Sequence, residues 1–201
     1  MRETSAWVSV LVIALGTVLL LAVSWRSFAH SRSHGVFRFF AAEAVLGLVV
    51  LNAPVWFRQP GAPAQLLSWA LLAVSLVLAV QGFYLLQRLG GPATPAPGSP
   101  LFRIENTRAL VTVGAYRYIR HPLYASGLFL AWGAALKAPS PLAILLALVA
   151  TGFLVLTARA EETENLARFG EEYRAYMAHT RLFIPFVRLV KMLHGRFTGA
   201  R

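Results

Sequence analysis

Five apolar runs constrain this chain more than any other feature of its sequence. They lie at roughly 6–25, 36–57, 66–87, 123–136 and 141–158. A helix needs about 20 apolar residues to cross the ~30 Å hydrocarbon core of a bilayer. With 57% hydrophobic and 13% charged residues among 201, the composition also argues against disorder and against an ordinary soluble domain. We therefore predict an all-α, polytopic membrane helix bundle with about five transmembrane helices and a C-terminal cytoplasmic amphipathic helix.

The stretch "GGPATPAPGSP" separates the first three runs from the last two. Repeated prolines remove backbone donors and disfavour helix in the residue before them, so this stretch reads as a linker. The predicted organisation is a three-helix N-terminal membrane half at 1–89, a cytoplasmic linker at 90–107, a half with a helical hairpin at 108–187 and a basic tail at 188–201. The tail is basic and amphipathic, and we expect it to lie on anionic lipid.

The basic residues predict how the bundle is oriented. If the N-terminus lies outside, the outer segments hold only Arg2, Arg58 and Lys137, and all other lysines and arginines fall on the inner side. This asymmetry follows the positive-inside rule. We predict a multi-pass membrane protein with its N-terminus outside and its C-terminus on the cytoplasmic side. The net charge of +11 could suggest nucleic acid, but the basic residues are scattered at helix ends. The predicted partner is therefore the bilayer and no nucleic acid.

One motif, "GAYRYIRHPLY" at 114–124, places three basic residues before a short apolar run. Pro122 suits the first turn of a helix, which would begin close to His121. The free N–H groups and positive dipole end of such a helix bind a carboxylate or phosphate, and Arg120 and His121 would reinforce that site. The alternative is that Arg117 and Arg120 are membrane anchors within an aromatic belt. The residues alone leave both interpretations open.

A second cluster follows the last apolar run. Apolar and aromatic residues recur at helical spacing in 158–186, and Glu162 falls on their face, where an unpaired carboxylate is costly. Glu161 and Glu162 could together hold a zwitterionic or cationic ligand, or they could simply favour a helix N-terminus. Glu43 lies inside the second run, where a carboxylate is a functional candidate or part of a structural ion pair.

Common cofactor motifs are absent from the sequence. It has no cysteine, no aspartate, no GxGxxG turn, no Walker A loop and no HExxH. We predict no metal site. The oligomeric state stays open, because the small-residue face of Gly127, Ala131 and Ala135 could serve packing inside the bundle or between chains.

The segments "LVTVGAYRYIRHPLYASGLFLAWGAAL" and "EE…FGEEYRAY" together resemble the isoprenylcysteine carboxyl methyltransferase and phospholipid N-methyltransferase superfamily, over about 108–186. The resemblance implies an integral-membrane enzyme that uses S-adenosylmethionine to methylate a lipophilic or membrane-embedded acceptor, with a carboxylate, amine or thiol as the open possibilities. By position it implies these cofactor contacts: Leu110, Val111, Tyr116, His121, Pro122, Leu123, Tyr124, Glu161 and Glu162. The cytoplasmic helix ends would enclose the active site.

Two positions depart from the prenylcysteine enzymes. Thr157 stands where they have a substrate-contacting arginine, and Arg108 stands where they have a histidine. Both argue against a prenylcysteine carboxylate as substrate. The catalytic candidates are Arg159, to orient an acceptor carboxylate or phosphate, and Glu43 or Glu162, as a base for an amine or thiol. Two other functions stay open: a membrane NADPH-dependent reductase of the sterol-reductase type, and a non-enzymatic membrane scaffold or transporter.

Overall fold

The chain is a bundle of helices in the computed structural model, which describes residues 2–28, 34–91 and 107–184. The helices are α1 (Arg2–Phe28), α2 (His34–Asn52), α3 (Pro63–Leu85), α4 (Pro122–Ala135), α5 (Pro141–Phe169) and α6 (Glu171–His179). Within these ranges the sole β-type pairing is one isolated bridge, between Ile119 and Arg181. Four helices, α1, α2, α3 and α5, are long and apolar enough to cross a membrane. The predicted all-α polytopic membrane bundle is confirmed.

Helix α4 is short and central. It begins at Pro122, as the proline predicts, and its 14 residues rise only about 21 Å. Helix α3 packs against α4, and α2 packs against both α4 and α5. Small residues permit this close approach. Ala131 and Ala135 are fully buried, and a side chain at Gly127 would meet Leu154 of α5 at 3.5 Å. The small-residue face of α4 therefore serves packing inside the bundle.

Helix α5 continues past residue 158, the end of its apolar run, to Phe169 without interruption. Glu161 and Glu162 therefore lie inside a helix, which excludes the interpretation that they stabilise a helix N-terminus. The helix ends at Gly170, whose φ of +56° is a conformation that glycine adopts readily. Helix α6 starts at the next residue, so the amphipathic face predicted for 162–176 is divided between two helices.

Polar side chains fix α4 between α2 and α3. Asn52 Nδ2 donates to the carbonyl of Ala134 over 3.0 Å, and Ser68 Oγ donates to that of Gly133 over 2.7 Å. Each bond joins one of the first three helices to the hairpin of α4 and α5. The chain also returns to the end of α3 after the linker, because the N–H of Arg108 donates to the carbonyl of Gly90 over 2.7 Å. The basic tail at 188–201 and linker residues 92–106 lie outside the described residues.

Candidate functional site

A pocket lies where the ends of α3 and α5, helix α6 and the segment before α4 meet. Its lining residues are Leu86, Thr107, Leu110, Val111, Tyr116, Arg120, His121, Leu123, Tyr124, Glu161, Asn165, Phe169, Tyr173 and Tyr176. These residues come from three stretches of the chain that are far apart in sequence, at Leu86, within 107–124 and within 161–176. The pocket therefore exists only because the motif at 114–124 and the carboxylate pair fold onto each other.

The structure brings most of the predicted cofactor residues together. Seven of the nine line the pocket: Leu110, Val111, Tyr116, His121, Leu123, Tyr124 and Glu161. The other two, Pro122 and Glu162, are buried beside it. None of the three catalytic candidates, Arg159, Glu162 and Glu43, is among the lining residues.

His121 is the polar centre of the pocket. It is 5% exposed and caps the start of α4, with its ring stacked on that of Tyr124 at a centroid separation of 5.5 Å. Its Nδ1 lies 3.6 Å from Glu161 Oε2 and its Nε2 lies 3.8 Å from Glu162 Oε1. Burial by itself lowers the pKa of the imidazolium, but the two carboxylates outweigh it and raise the pKa of His121 above its usual value. The carboxylates thus favour the imidazolium form of His121, and its buried Nε2 has no hydrogen-bond partner.

Glu162 is held by two arginines. Arg120 Nε donates to its Oε1 over 2.6 Å, and Arg159 Nη1 donates to its Oε2 over 3.1 Å. Glu162 is almost fully buried, and the Arg120 side chain is only 9% exposed. Both carboxylate oxygens are thus engaged, which makes Glu162 a poor proton acceptor for a substrate. These contacts make Glu162 a residue that positions Arg120 and His121.

Arg120 also ties α6 to the start of α4. Its Nη1 donates to the carbonyl of Thr180 over 2.7 Å and to that of Met177 over 3.3 Å. These carbonyls lie at the C-terminal end of α6, where a cation is favourable. The backbone adds two bonds, from Arg120 N–H to the carbonyl of Arg181 and from His121 N–H to that of Leu182.

Helix α6 supplies an aromatic wall. Tyr176 donates its hydroxyl to the carbonyl of Tyr116 over 2.7 Å, and the Tyr173 ring lies 5.8 Å from that of Tyr176. Burial raises the pKa of both tyrosines above their usual value of 10. Both hydroxyls therefore stay protonated, and that of Tyr176 is the donor to the carbonyl of Tyr116.

Glycine shapes the side of the pocket that faces α3. Gly114 begins a 3₁₀ turn, Gly114–Arg117, with φ at +60°, and a Cβ there would lie 2.6 Å from Leu85. Only glycine combines that conformation with so close an approach. The turn buries Tyr116, and α3 ends beside it in a π-helical turn, Leu86–Gly90. Such turns are frequent at functional sites.

Glu43 lies away from this pocket. It accepts a hydrogen bond from Thr17 of α1 over 3.0 Å, and its other oxygen is buried without a hydrogen-bond partner. It contributes to the contact between α1 and α2. Arg117, a candidate membrane anchor, is exposed beside the Tyr118 ring.

The predicted set omits part of the pocket. Leu86, Thr107, Arg120, Asn165, Phe169, Tyr173 and Tyr176 line it although none was among the predicted cofactor contacts. Phe169, Tyr173 and Tyr176 do belong to the amphipathic face that the sequence predicts. An aromatic face directly after a carboxylate pair was the available signal that these residues line a pocket.

Comparisons with known proteins identify the family of this chain. The family model described as phospholipid methyltransferase matches residues 64–172, which include all of α3 except its first residue and most of the pocket. Methanethiol S-methyltransferase from Pseudomonas deceptionensis is 28% identical over 155 residues, which are 75% of this chain and 51% of that protein. Methanethiol S-methyltransferase 1 from Bradyrhizobium diazoefficiens is 32% identical over 75 residues, 37% of this chain and 26% of that protein.

The chain thus matches about half the length of one relative and a quarter of the other. No solved structure matches it. The resemblance inferred from the two motifs is confirmed, and the matched region begins earlier than those motifs, inside the front half.

Proposed function

We propose that this chain, which belongs to the phospholipid methyltransferase family, transfers a methyl group from S-adenosylmethionine to a small or lipophilic acceptor. One observation carries the proposal. The segment matched by the family encloses a pocket in which a buried histidine and a carboxylate, His121 and Glu161, face each other across 3.6 Å. The alternatives of a membrane reductase and a non-enzymatic scaffold have no comparable support.

The chemistry of the lining suits this cofactor. His121, as a buried cation at the start of α4, would hold the cofactor's carboxylate together with the free N–H groups of the helix. Glu161 would hold its amino group or ribose hydroxyls. Aromatic rings of Tyr116, Phe169 and Tyr173 would pack on the adenine, and such rings also attract a sulfonium.

The enclosed part of the pocket is about 70 Å³. Ligand pockets usually measure roughly 300–1,000 Å³. A molecule as large as S-adenosylmethionine therefore fits only after lining side chains move apart.

When bound, the cofactor supplies a methyl group that is already activated by its sulfonium. The chain's own residues then act mostly by position and by exclusion of water. Arg120 and Glu162 hold His121 and α6 in place, and Leu123 and Tyr124 form the wall beside the reacting groups. Arg159, which is 41% exposed and paired with Glu162, is available at the edge of the site to orient an anionic acceptor.

We propose a thiol as the acceptor group. Both curated relatives are named for transfer to a thiol. Thr157 is fully buried and donates its hydroxyl to the carbonyl of Phe153, so no arginine stands where the prenylcysteine enzymes place one. That arrangement disfavours a prenylcysteine carboxylate.

Cofactor binding tests the proposal directly. Purified protein should bind S-adenosylhomocysteine in a calorimetric titration, and His121→Ala and Glu161→Ala should each weaken binding at least about tenfold, which is 1.4 kcal/mol. Matched controls are His179→Ala and Glu172→Ala, two exposed residues of α6 outside the pocket. Unchanged affinity in both pocket variants would reject the site. Binding of NADPH in place of S-adenosylhomocysteine would favour a reductase, and binding of neither would favour a scaffold or transporter.

The proposed orientation places the pocket and the C-terminus on the cytoplasmic side and the N-terminus outside. Because the chain has no cysteine, single cysteines report sidedness cleanly. In intact cells a membrane-impermeant maleimide should label Gln59→Cys and leave Glu172→Cys unlabelled until the membrane is permeabilised. The reverse pattern would invert the topology.

A further inference from the structure

A second cavity lies within the membrane bundle, next to the pocket. It measures about 610 Å³, and its walls come from four helices, α1, α2, α4 and α5. Its lining residues are Gly16, Leu19, Leu20, Arg38, Ala41, Ala42, Val45, Leu46, Val49, Leu123, Tyr124, Gly127 and Leu154. Leu123 and Tyr124 also line the first pocket. The two spaces therefore adjoin at these two side chains, in the first turn of α4.

The cavity is long and is polar at one end. On α2 its lining runs from Arg38 to Val49, which are eleven positions apart, a rise of about 16 Å. Arg38 is the sole charged residue that lines it. A charged residue inside a membrane bundle is expensive and marks a ligand path by default.

The charged end is the end beside the pocket. Helices α2 and α4 run in the same direction, since Asn52 at the end of α2 bonds to Ala134 near the end of α4. Near the starts of the same two helices, Ala41 of α2 belongs to the same buried cluster as Tyr124 of α4. Arg38 lies one turn before Ala41, which places it at the level where α4 begins.

Lipid can reach this cavity from the bilayer. Leu19, on its α1 wall, is 65% exposed. In a membrane that exposed side faces hydrocarbon, so an apolar molecule can enter without crossing water.

We propose that this cavity binds the methyl acceptor, an amphiphile much longer than methanethiol, with its anionic, nucleophilic head at Arg38 and its apolar chain along α2 toward Val49. This inference rests on the proposed methyl transfer. The volume falls in the roughly 300–1,000 Å³ range of pockets for drug-sized ligands, far more than a one-carbon thiol fills. A positive charge at one end of an otherwise apolar groove complements such a molecule.

The head is the thiolate of the proposed thiol acceptor, and a carboxylate is the alternative anion that the test below distinguishes from it; in both cases the reaction balances without a base in the cavity. The anion's electron pair forms the new bond to the methyl carbon, the bond from that carbon to the sulfonium breaks, and its electron pair remains on the cofactor's sulfur as a thioether. A thiol loses its proton to water before transfer. Arg38 favours the deprotonated form, as a nearby opposite charge does.

The test uses the full chain in lipid nanodiscs with S-adenosylmethionine and three acceptors: methanethiol, dodecanethiol and dodecanoate. We expect kcat/KM for one dodecyl acceptor to exceed that for methanethiol at least about tenfold, a difference of 1.4 kcal/mol in transition-state binding. Which dodecyl acceptor reacts identifies the head group. Arg38→Gln should lower that kcat/KM about tenfold or more, and Arg38→Lys should retain most of it. Ala42→Phe, which fills the cavity, should abolish turnover of the dodecyl acceptor.

Two measurements separate this inference from the proposed function and from misfolding. Each variant should bind S-adenosylhomocysteine as the wild type does, and native mass spectrometry without cofactor should show that Ala42→Phe retains less dodecyl methyl sulfide than wild type. Ala73→Phe on α3 and Arg58→Gln are matched controls, both exposed and outside the cavity, and neither should change turnover.

Loss of cofactor binding in the wild type would reject the proposed function itself. Two results would overturn this inference while cofactor binding stays intact. One is a preference for methanethiol over the dodecyl acceptors, and the other is wild-type turnover in both Arg38→Gln and Ala42→Phe. The cavity would then be a site for bilayer lipid.

Discussion

Arg120 donates from Nε to Glu162 Oε1 over 2.6 Å, and this bond joins the segment before α4 to the C-terminal third of α5. The two residues are 42 positions apart and both side chains are nearly buried. Arg120 also bonds the last carbonyls of α6. One guanidinium therefore connects three sides of the pocket, and the geometry around His121 depends on it.

We expect Arg120→Ala to be strongly destabilising. Removing one partner of a buried ion pair costs about 3–5 kcal/mol, because the other charge is left buried and uncompensated. Arg159→Ala removes the other arginine on Glu162, but that side chain is 41% exposed, and exposed pairs contribute about 0–1 kcal/mol. Chemical unfolding in detergent measures both.

The double variant Arg120→Met with Glu162→Leu provides the control. It removes both charges and should recover much of the stability that Arg120→Ala loses. Equal losses for Arg120→Ala and Arg159→Ala would contradict the assignment of Arg120 as the central residue.

The charge of His121 predicts a dependence on pH. Its folded pKa lies above the ordinary 6.5, so the stabilisation is complete below about pH 6.5 and is lost as pH rises through the folded value. In thermal unfolding, the melting temperature of wild type should exceed that of His121→Gln most at pH 6, and this difference should shrink toward pH 9. Affinity for S-adenosylhomocysteine should fall over the same range.

The matched control for that pH series is His179→Gln, since His179 is exposed on α6. The melting temperature of His179→Gln should stay close to that of wild type throughout the series. A difference for His121→Gln that grows with rising pH would show that the buried imidazole is neutral.

Local rules predict part of this site, and long-range contacts decide the rest. Pro122 and His121 follow from the sequence because proline at the first helical position fixes where α4 begins. The extension of α5 through Glu162 follows only in part: the continuous apolar run ends near residue 158, but apolar and aromatic residues go on at helical spacing in 158–186, and the sequence left open whether one helix or two carry them. The pairing of Arg120 with Glu162 requires knowing how α5 lies against α4, which neither local propensity nor spacing encodes. Tyr173 and Tyr176 were recognisable as one helical face, but not as the wall of a pocket.

Gly114 should tolerate no side chain. Its φ is +60° and an added Cβ would lie 2.6 Å from Leu85, so Gly114→Ala should destabilise the chain by about 1–3 kcal/mol. It should also weaken binding of S-adenosylhomocysteine, because the turn it begins carries Tyr116. Gly152→Ala is the comparison: it lies within α5, has nothing within 4 Å of its added Cβ and should stabilise by about 1 kcal/mol. Similar effects of the two variants on thermal unfolding would contradict the strained turn.

Lys137 should matter for stability and not for the pocket. It is 3% exposed, and its Nζ lies 3.3 Å from the Trp69 ring centroid, 5.4 Å from that of Trp56 and 3.3 Å from Gln65 Oε1. These contacts close the end of α4 opposite to His121, about 21 Å away along the helix. A desolvated cation over an aromatic ring contributes about 2 kcal/mol, so Lys137→Met should lower the free energy of unfolding by about that amount while its affinity for S-adenosylhomocysteine stays that of wild type.

Arg58→Met, at an exposed position on the same predicted outer side, should change stability by less than about 0.5 kcal/mol. A tenfold loss of cofactor affinity in Lys137→Met would contradict this prediction, because it would mean that the two ends of α4 are coupled.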